Sequence, residues 1–458
     1  MENNVNFKVI SSLEKVFPDQ EPIASKFVGS ESILRGESYS FQIAFKIKEK
    51  GNHQRINFVP KVVCEEARNV TVKNVSLVPC ELTCFEGRDE DYIRNAQPGF
   101  YPDIITDIDS EYSFATALST MWRSVWVEYK PDENTPSGTH SIMIDFVDVE
   151  GVSHGVVGTE VKLINARLEK QELIFTQWFH GDCISSYYGV DTLSERHFEL
   201  MEKFIKTAAD NGINMLLTPL FTPPLDTKIG GERPTIQLVN VTVKDGAYEF
   251  GFDNLHRFIE ICKGAGIEYY EMSHLFSQWG AKFAPKIMAT VEGTYKRIFG
   301  WETSATSEEY KTFLGEFLPK LIGFLKQEGI AEKTYFHVSD EPGMDVIEDY
   351  KAAADIIKEY LKEFKMMDAL SDYAFYEKGL VPNPIPATNH IKPFLENKVP
   401  DLWTYYCCGQ GYKVSNRFMA MSSARNRVIA TQLFKYDIKG FLQWGYNFWY
   451  SQFSIKMI

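Results

Sequence analysis

The sequence predicts a β-sandwich over residues 1–168, followed by an α/β TIM (β/α)8 barrel over residues 169–458 that lacks its last helix. Three observations favour this fold class. Apolar residues recur with period two through the first third of the chain, as in half-buried strands. Beyond a charged linker near residues 167–170, apolar strands alternate with amphipathic helices, which is typical of parallel βα units. No glycine-rich dinucleotide turn follows the first of these strands, so a closed barrel is favoured over an open doubly wound sheet.

The N-terminal strands are indicated by strict alternation of apolar with polar or small residues. The pattern is carried by Tyr39, Phe41, Ile43, Phe45 and Ile47, and again by Ile142, Ile144 and Phe146. Turn-rich pieces such as residues 133–138 separate these runs, as expected between the strands of a sandwich. We find no catalytic signature in this part of the sequence.

Eight strands are predicted in the barrel. They fall near Leu173–Asp182, Asn214–Phe221, Glu268–Phe276, Thr334–Glu341, Met366–Asp372, Ile385–His390, Asp401–Cys407 and Gly440–Trp449. A helix over residues 194–211 is expected to end at Gly212, where a left-handed residue commonly follows a helix. A second helix is expected over residues 344–363, and a β-hairpin insertion around residues 236–252.

The eighth strand is expected to have no helix after it, because the sequence ends at Ile458 shortly beyond that strand. Phe441 and Phe448 on its outer side would then need cover, since exposed apolar patches favour association. The sandwich, a partner subunit or a further C-terminal segment could supply this cover. An oligomer is therefore one of the open expectations.

Composition narrows the function classes. The net charge of −14 argues against a nucleic-acid partner, which would require clustered Lys and Arg. Seven cysteines without paired spacing are typical of free thiols in a reducing compartment. The N-terminus lacks a secretory pattern and no segment is as long and apolar as a membrane span. We therefore expect a cytoplasmic protein without a membrane partner.

Motifs for metals and cofactors are absent from the sequence. There is no His-Glu-x-x-His helix, no paired-cysteine spacing, no glycine-rich phosphate loop and no Gly-x-Ser-x-Gly turn. The sequence therefore predicts neither a metal nor a cofactor. Aromatic residues make up 14% of the chain, and apart from core packing they offer flat faces on which sugar rings can stack.

Two adjacent carboxylates are the main candidates for chemistry. The apolar segment Thr334–Pro342 runs straight into Asp340 and Glu341. Active sites of α/β barrels lie at the C-terminal ends of the strands, which favours a catalytic interpretation. The alternative is a solvated pair near the start of the helix from Met344, since acids also favour helix N-termini.

Adjacent acids suit one kind of glycoside hydrolysis. Their Cα atoms lie about 3.8 Å apart, so the two side chains approach a sugar from the same side and cannot straddle its ring. Glu341 would then serve as the acid/base, while Asp340 holds a 2-acetamido group whose oxygen attacks C1, a known exception to the two-carboxylate rule. An ionised Asp340 would also favour the protonated form of Glu341.

The chain resembles glycoside hydrolase family 123 and the wider domain-of-unknown-function 4091 proteins over nearly its whole length. The resemblance rests on Trp178–Phe179, Val338–Pro342, Trp403–Cys407 and Lys435–Trp444. It implies a β-sandwich joined to a TIM barrel, and a retaining, exo-acting β-N-acetylgalactosaminidase that cleaves an oligosaccharide or glycoconjugate without a cofactor. It also implies that Asp340 orients the acetamido group and that Glu341 is the acid/base. Family members usually continue past the eighth strand through a loop that helps to line the pocket, a feature that this sequence does not show.

Eight further residues fall at or near predicted strand ends, where rings could stack on a sugar and polar groups could bind its hydroxyls. They are Trp178, His180, His274, Trp279, Asn389, Trp403, Tyr405 and Trp444. Trp403 and Trp444 are favoured as pocket walls, and Tyr405 as a donor to the acetamido oxygen. For each tryptophan, core packing is the competing interpretation.

Two other functions remain open from the sequence. A glycosidase could keep Glu341 as acid/base and use Glu271 or Glu377 as a separate nucleophile on a sugar without an acetamido group. A truncated barrel could instead bind glycans without hydrolysing them. The choice between N-acetylgalactosamine and N-acetylglucosamine depends on the partner of one hydroxyl.

Overall fold

The computed structural model describes residues 4–23, 31–48, 54–85, 87–109, 111 and 113–451. The chain divides into two compact units, Met1–Lys170 with Gly411–Ala430 and Gln171–Gln410 with Thr431–Ile458. The sequence assigned residues 411–430 to the barrel domain, but this segment groups with the first unit. Its Ala420 and Met421 join an apolar cluster that includes Phe17, and burial of these side chains favours the grouping. The predicted limits at residues 168 and 169 stay predictions.

The described part of the first unit contains ten strands in two sheets. They are β1 (Val5–Ser11), β2 (Ser32–Arg35), β3 (Tyr39–Ile47), β4 (Arg55–Val62), β5 (Val70–Cys80), β6 (Gly99–Thr106), β7 (Ala115–Leu118), β8 (Arg123–Tyr129), β9 (Gly138–Asp148) and β10 (Ser153–Arg167). One sheet has the order β1-β3-β8-β5-β6 and the other the order β2-β10-β9-β4-β7. Neighbouring strands are antiparallel except for β2 with β10.

One hydrophobic core lies between these two sheets. Phe45 of β3 packs against Phe58 of β4 and Phe146 of β9, with ring centroids 5.8 and 5.6 Å apart. Phe41 and Ile144, both predicted from the period-two pattern, are fully buried. The two sheets face each other because each has one apolar face that needs cover.

The described part of the second unit contains twelve strands. They are β11 (Ile174–Gln177), β12 (Met215–Thr218), β13 (Asn240–Lys244), β14 (Ala247–Gly251), β15 (Tyr269–Met272), β16 (Ile287–Val291), β17 (Thr294–Phe299), β18 (Thr334–Phe336), β19 (Lys365–Ala369), β20 (Asn383–Ile385), β21 (Trp403–Tyr405) and β22 (Gly440–Gln443). Eight of them, β11, β12, β15 and β18 to β22, run parallel in chain order around a nearly closed barrel. The barrel closes where Ala387, just beyond β20, bridges to Tyr405 of β21. Each of these strands overlaps its predicted strand and is shorter.

The barrel strands are short apolar runs because both of their faces are buried. Met215 and Leu217 of β12 join the interior cluster with Tyr335 and Leu442, whereas Leu216 is buried outside that cluster. The interior is thus a packed core. In barrels with such an interior, the side chains that react or bind ligands lie at the C-terminal ends of the strands.

Nine α-helices lie in the described residues. They are α1 (Gly181–Tyr188), α2 (Glu195–Asp210), α3 (Asp253–Ala265), α4 (Glu308–Gln327), α5 (Ile347–Ile357), α6 (Ala374–Glu377), α7 (Lys392–Glu396), α8 (Ser423–Arg427) and α9 (Ile429–Lys435), with 3-10 turns at Ala67–Asn69, Ala331–Lys333 and Met344–Val346. The helix predicted over 194–211 is confirmed as α2, which is capped by the hydroxyl of Ser194 accepting from the N–H of His197. The helix predicted over 344–363 is α5, which ends earlier, at Ile357.

The sequence predicted an amphipathic helix between successive barrel strands, but some of the helices in the structure are much shorter than expected. After β19 and β20 the connecting helices α6 and α7 are single short turns. Pro382 and Pro384 follow α6, and proline cannot continue a helix. None of the helices in the described ranges combines the length and apolar character required to span a bilayer.

The hairpin predicted around residues 236–252 is confirmed as β13 and β14, which pair from Asn240 with Gly251 to Lys244 with Ala247. The sequence did not reveal that β16 and β17 extend it into a four-stranded sheet of order β14-β13-β16-β17. The two halves of this sheet are inserted after β12 and after β15. They therefore lie on the side of the barrel where the strands end.

The outer side of β22 has cover among the described residues. Phe441 is 4% exposed, and its ring lies 5.9 Å from that of Phe175 and 5.0 Å from that of Tyr406. Phe448 is half-buried and packs on Trp444 at 5.1 Å. Burial of Phe441 therefore does not require a partner subunit.

Replacing Gly440 by alanine tests whether Trp403 is a core residue. A Cβ at Gly440 would lie 2.0 Å from Cδ2 of Trp403, so we expect a loss of at least about 1–3 kcal/mol in the free energy of unfolding, as in other overpacked cores. Gly323→Ala in α4 is the matched control, because its Cβ would meet nothing within 4 Å and alanine favours a helix. Thermal unfolding compares the two variants. A Gly440→Ala variant as stable as Gly323→Ala would contradict the packing of Trp403.

Candidate active site

Asp340 and Glu341 lie just beyond β18, at the C-terminal end of the barrel strands. The backbone there is held on both sides, because Glu341 N–H donates to the carbonyl of Ala369 at 2.9 Å and the Asp340 carbonyl accepts from Trp279 N–H at 2.7 Å. Glu341 has a φ of 43°, a left-handed conformation that is uncommon for residues with a side chain. Such strain clusters at functional sites. Since α5 begins only at Ile347, the pair does not form the first turn of that helix.

The carboxyl groups of the pair share one electrostatic environment. Burial and the charge of Glu341 raise the pKa of Asp340 well above its usual value. Glu341 is the more exposed of the two, and its Oε1 accepts a hydrogen bond from the hydroxyl of Tyr405 at the end of β21. Among the described residues, the Asp340 carboxyl has no hydrogen-bond partner. It is therefore free to bind a polar group of a ligand.

The pKa of Asp340 is raised, a direction that the sequence alone did not predict. We predicted an ionised Asp340 beside a protonated Glu341, whereas the raised pKa belongs to Asp340. The physical reason is that burial disfavours the charged form of the less exposed acid. A hydrogen bond from a ligand to the Asp340 carboxylate would oppose this effect, because it stabilises the charged form.

A buried histidine lies three residues before the pair. His337 Nε2 is 2.6 Å from Glu271 Oε1, and its Nδ1 is 3.1 Å from Asp368 Oδ1. Burial alone would lower the pKa of His337, but the hydrogen bonds and charges of these two carboxylates outweigh it and raise the pKa to about 10. His337 is therefore an imidazolium that donates to both acids. Its charge also lowers the pKa of Asp340, against the larger effect of burial.

Glu271, on β15, accepts hydrogen bonds from three side chains. Its Oε1 also accepts from Trp178 Nε1 at 2.7 Å, and its Oε2 accepts from Thr176 Oγ1 at 2.8 Å. Its side chain is fully buried. A carboxylate with both oxygens bonded in this way is poorly placed to attack a sugar.

Asp368, on β19, fixes the backbone that leads to the pair. Its Oδ1 accepts from the N–H groups of Val338 and Ser339 at 3.1 and 3.3 Å, and its Oδ2 accepts from the hydroxyl of Tyr350. Burial raises the pKa of Asp368, while His337 lowers it. These bonds tie the segment just before Asp340 to the neighbouring strand.

Sequence reasoning missed His337, Asp368 and Tyr350 as parts of the site. The available signal was a histidine and an aspartate within apolar strands, because a buried charge is stable only with a partner. Nothing in the local pattern identifies which residues form the pairs.

His274 follows β15 and stacks on His337, with ring centroids 4.3 Å apart, while Trp178 meets it edge-on at 5.3 Å. Burial and the charge of His337 lower the pKa of His274 well below its usual value, so its ring is neutral. Within the described part of the chain, neither of its ring nitrogens has a hydrogen-bond partner. The Trp178, His274 and His337 rings thus form one packed cluster.

Among the residues that the structure describes, two groups of side chains could offer ligands to a metal ion. His274, His337 and Asp368 bring three ligand atoms within 4.8 Å of one another. His337 is protonated and bonded through both nitrogens, and an imidazolium has no lone pair for a metal. The second group is His256, Glu260 and Glu328, where Lys263 already pairs with both acids.

His180 lies in a separate network at the end of β11. Its Nδ1 accepts from Arg233 at 2.8 Å and its Nε2 donates to the carbonyl of Trp444 at 2.9 Å. Arg233 pairs in turn with the buried Asp182 at 2.6 Å. Burial and the charge of Arg233 lower the pKa of His180 to about 4. Both nitrogens of His180 are thus engaged in support of the strand end.

Trp279 and Asn389 lie at the surface. Trp279 is 40% exposed, and its backbone bond to Asp340 places it next to the pair. Trp279 has a φ of 58°, so it is the second residue at this site, after Glu341, with a left-handed backbone conformation. Asn389 is exposed, and its Oδ1 accepts from Gln410 Nε2 at 3.0 Å.

Trp403 does not join the group around Asp340. It lies two residues before Tyr405 on β21, and a strand rises about 3.3 Å per residue, so it is deeper in the barrel. It is 5% exposed and packs against Tyr335 at 5.7 Å. Trp444 is half-buried beyond β22. The roles of both tryptophans as pocket walls stay predictions.

Comparison with known proteins gives a family and a fold. A family model described as glycoside hydrolase 123, catalytic domain, matches residues 178–455. A family 123 glycoside hydrolase from Clostridium perfringens, described for glycolipid glycan hydrolysis, matches with a TM-score of 0.70 and 16% identity over 97% of this chain and 79% of that chain. A family 10 xylanase with an Ig-like domain from termite gut reaches a TM-score of only 0.31 at 11% identity, over 69% and 81%. No curated protein matches the chain.

Replacing His337 by glutamine would leave Glu271 and Asp368 buried without their cation. Loss of one partner from a buried ion pair costs about 3–5 kcal/mol, so we expect a markedly lower unfolding temperature. The pKa of His337 is raised from 6.5 to about 10, so its contribution is full below about pH 6.5 and disappears as the pH rises through about 10. Thermal unfolding across this range measures the effect, with the exposed His390→Gln as control. Equal stability of the two variants at pH 6 would contradict a charged His337.

Asp340→Asn is expected to stabilise the chain near neutral pH. Because the pKa of Asp340 is raised in the folded state, its contribution to stability is full below the unfolded value of about 4 and is lost as the pH rises. Asparagine removes this cost of ionisation, and each kcal/mol recovered raises the unfolding temperature by up to about 2–4 °C. Thermal unfolding at acid and neutral pH measures the difference, with the exposed Asp191→Asn as control. Destabilisation at neutral pH would show that Asp340 is not strained by its burial.

Proposed function

Since the chain belongs to glycoside hydrolase family 123, we propose that it is a retaining exo-glycosidase that releases terminal β-linked N-acetylgalactosamine. The substrate is an oligosaccharide or glycoconjugate, and the 2-acetamido group of the sugar acts as the nucleophile. No cofactor takes part in this scheme. The choice of N-acetylgalactosamine follows the resemblance to characterised family members.

The observation that carries the proposal is the shared environment of two adjacent acids. Asp340 and Glu341 follow one strand, and the charge of one raises the pKa of the other. Acids in this arrangement cannot act from opposite faces of a ring, which the usual two-carboxylate mechanisms require. A nucleophile supplied by the substrate removes that requirement.

The proton moves within the pair when the sugar binds. The acetamido N–H donates to the Asp340 carboxyl, which favours its ionised form, since hydrogen bonds to a charged group stabilise the charge. The shared proton then resides on Glu341. The imidazolium of His337 acts in the same direction, because it lowers the pKa of Asp340.

Hydrolysis proceeds in two steps. The acetamido oxygen attacks C1 while the bond from C1 to the leaving oxygen breaks, and Glu341 gives its proton to that oxygen. The product of this step is an oxazolinium ion, the protonated form of an oxazoline, whose ring N–H still donates to the ionised Asp340. Water then attacks C1 as Glu341 takes its proton, the oxazolinium ring opens, and the two displacements together retain the configuration.

Neighbouring side chains support a terminal sugar at this position. The rings of Trp178, His274 and His337 pack on one another, and in this proposal they end the subsite so that only a terminal sugar fits. The unpartnered nitrogens of His274 offer a bond to a ligand hydroxyl. Tyr405 donates to Glu341 and could turn this hydroxyl to the acetamido oxygen.

A separate carboxylate nucleophile is less well supported. Glu271 bonds to three donors through both oxygens, and Glu377 is exposed at the end of the short helix α6. Neither observation favours attack on a sugar bound at Glu341. A binding protein without turnover is separated from an enzyme by experiment.

Glu341→Gln is expected to lower the turnover of 4-nitrophenyl N-acetyl-β-galactosaminide by about 10²–10⁴-fold, the usual contribution of a general acid/base, while substrate affinity is kept. Glu377→Gln is the matched control and should retain full activity. Steady-state kinetics and binding measurements on both variants test this. Undiminished turnover by Glu341→Gln would remove it as the acid/base, and absence of turnover in the unsubstituted chain would favour a binding protein.

Asp340→Asn separates the substrate-assisted scheme from the alternatives. We expect it to lower the turnover of N-acetyl-β-galactosaminide by about 10²–10³-fold, the usual effect of removing an electrostatic partner of a reacting group. A thiazoline that mimics the oxazoline should inhibit the unsubstituted chain. Assays with the N-acetylglucosaminide and with the plain β-galactoside define the sugar. Full activity of Asp340→Asn on plain glycosides without thiazoline inhibition would overturn the scheme.

A further inference from the structure

We propose that one face of the four-stranded sheet β14-β13-β16-β17 is a second carbohydrate site, which binds a neutral oligosaccharide. The site is a groove of about 520 Å³ in the second unit, a size within the usual range of ligand pockets. It shares no residue with the proposed catalytic group. Its occupation requires no reaction at Glu341.

The strand register aligns three side chains across the floor of the groove. Thr242 of β13 lies opposite Thr290 of β16, and Thr290 lies opposite Tyr295 of β17. Residues opposite each other point to the same face, with neighbouring strands about 4.8 Å apart. The row ends on the ring of Tyr295, which is 63% exposed. The groove therefore offers an aromatic face next to two hydroxyls.

The hydrogen-bonding capacity of this row is unused. In the residues that the structure describes, the hydroxyls of Thr242 and Thr290 have no hydrogen-bond partner, and neither has the side-chain amide of Asn240 at the same face. Sugars present apolar ring faces edged by hydroxyl groups. An exposed aromatic ring beside free donors and acceptors matches both features.

The other face of the sheet holds it in place. Val241, Ile287 and Ala289 alternate with the polar row and are at most 4% exposed. The sheet is thus amphipathic, with one face in the core of the unit and the other in the groove. Binding would require little ordering of the polypeptide, which favours affinity.

The groove carries no charged side chain among the residues that line it. At its border, Arg297 is already paired with Glu232 and Glu302, and the exposed Glu249 lies opposite Thr242, where it would repel an anion. An anionic glycan or a nucleic acid would need unpaired cations. A neutral oligosaccharide is therefore the class of ligand that fits.

One wall of the groove has a strained backbone. Leu193 has a φ of 61°, and its N–H donates to the buried His197 Nδ1 at 2.9 Å. His197 Nε2 donates in turn to the carbonyl of Gly181 at 2.8 Å. Strain of this kind persists only where the surroundings enforce it, and it is concentrated at functional sites.

Isothermal titration tests the proposal with three neutral tetrasaccharides as probes, namely N-acetylchitotetraose, lacto-N-tetraose and cellotetraose. The titrations use the full chain carrying Glu341→Gln, with an excess of N-acetylgalactosamine to occupy the catalytic group. We expect at least one probe to bind. Tyr295→Ala should weaken that binding about tenfold, equivalent to about 1.4 kcal/mol, and Thr290→Val should weaken it to a smaller extent.

Tyr436→Ala is the matched control, because Tyr436 is 51% exposed and lies outside the groove. It should leave the binding unchanged. Absence of binding by all three probes, or binding that survives Tyr295→Ala, would overturn the proposal. Failure of the proposed hydrolysis would appear instead as turnover by Glu341→Gln or none by the unsubstituted chain. Neither result alters the comparison of Tyr295→Ala with Tyr436→Ala.

Discussion

The candidate site depends on one buried cation held between two buried acids. His337 of the segment after β18 bonds to Glu271 of β15 at 2.6 Å and to Asp368 of β19 at 3.1 Å. Each charge alone would be strongly destabilising in the core, and they are tolerated because each has its partner and its remaining hydrogen bonds. Thr176 of β11, and Trp178 just beyond that strand, join through Glu271. The ends of four barrel strands are thereby fixed to one another, and Asp368 also holds the backbone of Val338 and Ser339 that leads to Asp340.

Much of this barrel could be predicted from the sequence because the information is local. A strand buried on both faces is a short apolar run, and a helix with one buried face repeats every three or four residues, so β18 and α2 were found at their places. The adjacency of Asp340 and Glu341 is equally local. Pairing is different in kind. His337 and Glu271 are 66 positions apart, and no spacing rule identifies them as partners, so the cation beneath the pair could be recognised only in three dimensions.

Position along β21 explains why Tyr405 contacts Glu341 whereas Trp403 packs inside the barrel. Both point into the barrel, because alternate residues of a strand share a face. Tyr405 is at the strand end and reaches Glu341, whereas Trp403 lies one layer deeper over Gly440. A sequence places a strand only to within a few residues, and a shift of two residues moves a side chain by one layer along the barrel. The grouping of residues 411–430 with the first unit is non-local in the same way as the His337 pair, since Phe17 and Tyr101, which share an apolar cluster with Ala420 and Met421, are far away in the chain.

The raised pKa of Asp340 links stability to substrate choice. An acid without a hydrogen-bond partner, buried next to another acid, is unfavourable when ionised, and the fold retains it nonetheless. The proposed acetamido N–H would supply the missing donor. Its hydrogen bond is strongest when Asp340 is charged, so binding of the sugar would favour transfer of the proton from Asp340 to Glu341. A sugar with a hydroxyl at C2 could donate a hydrogen bond, but it carries no acetamido oxygen to attack C1. In the proposed scheme, burial of Asp340 therefore has two effects. It makes the ionised form of Asp340 unfavourable in the free protein, and it favours sugars whose acetamido N–H can stabilise that form.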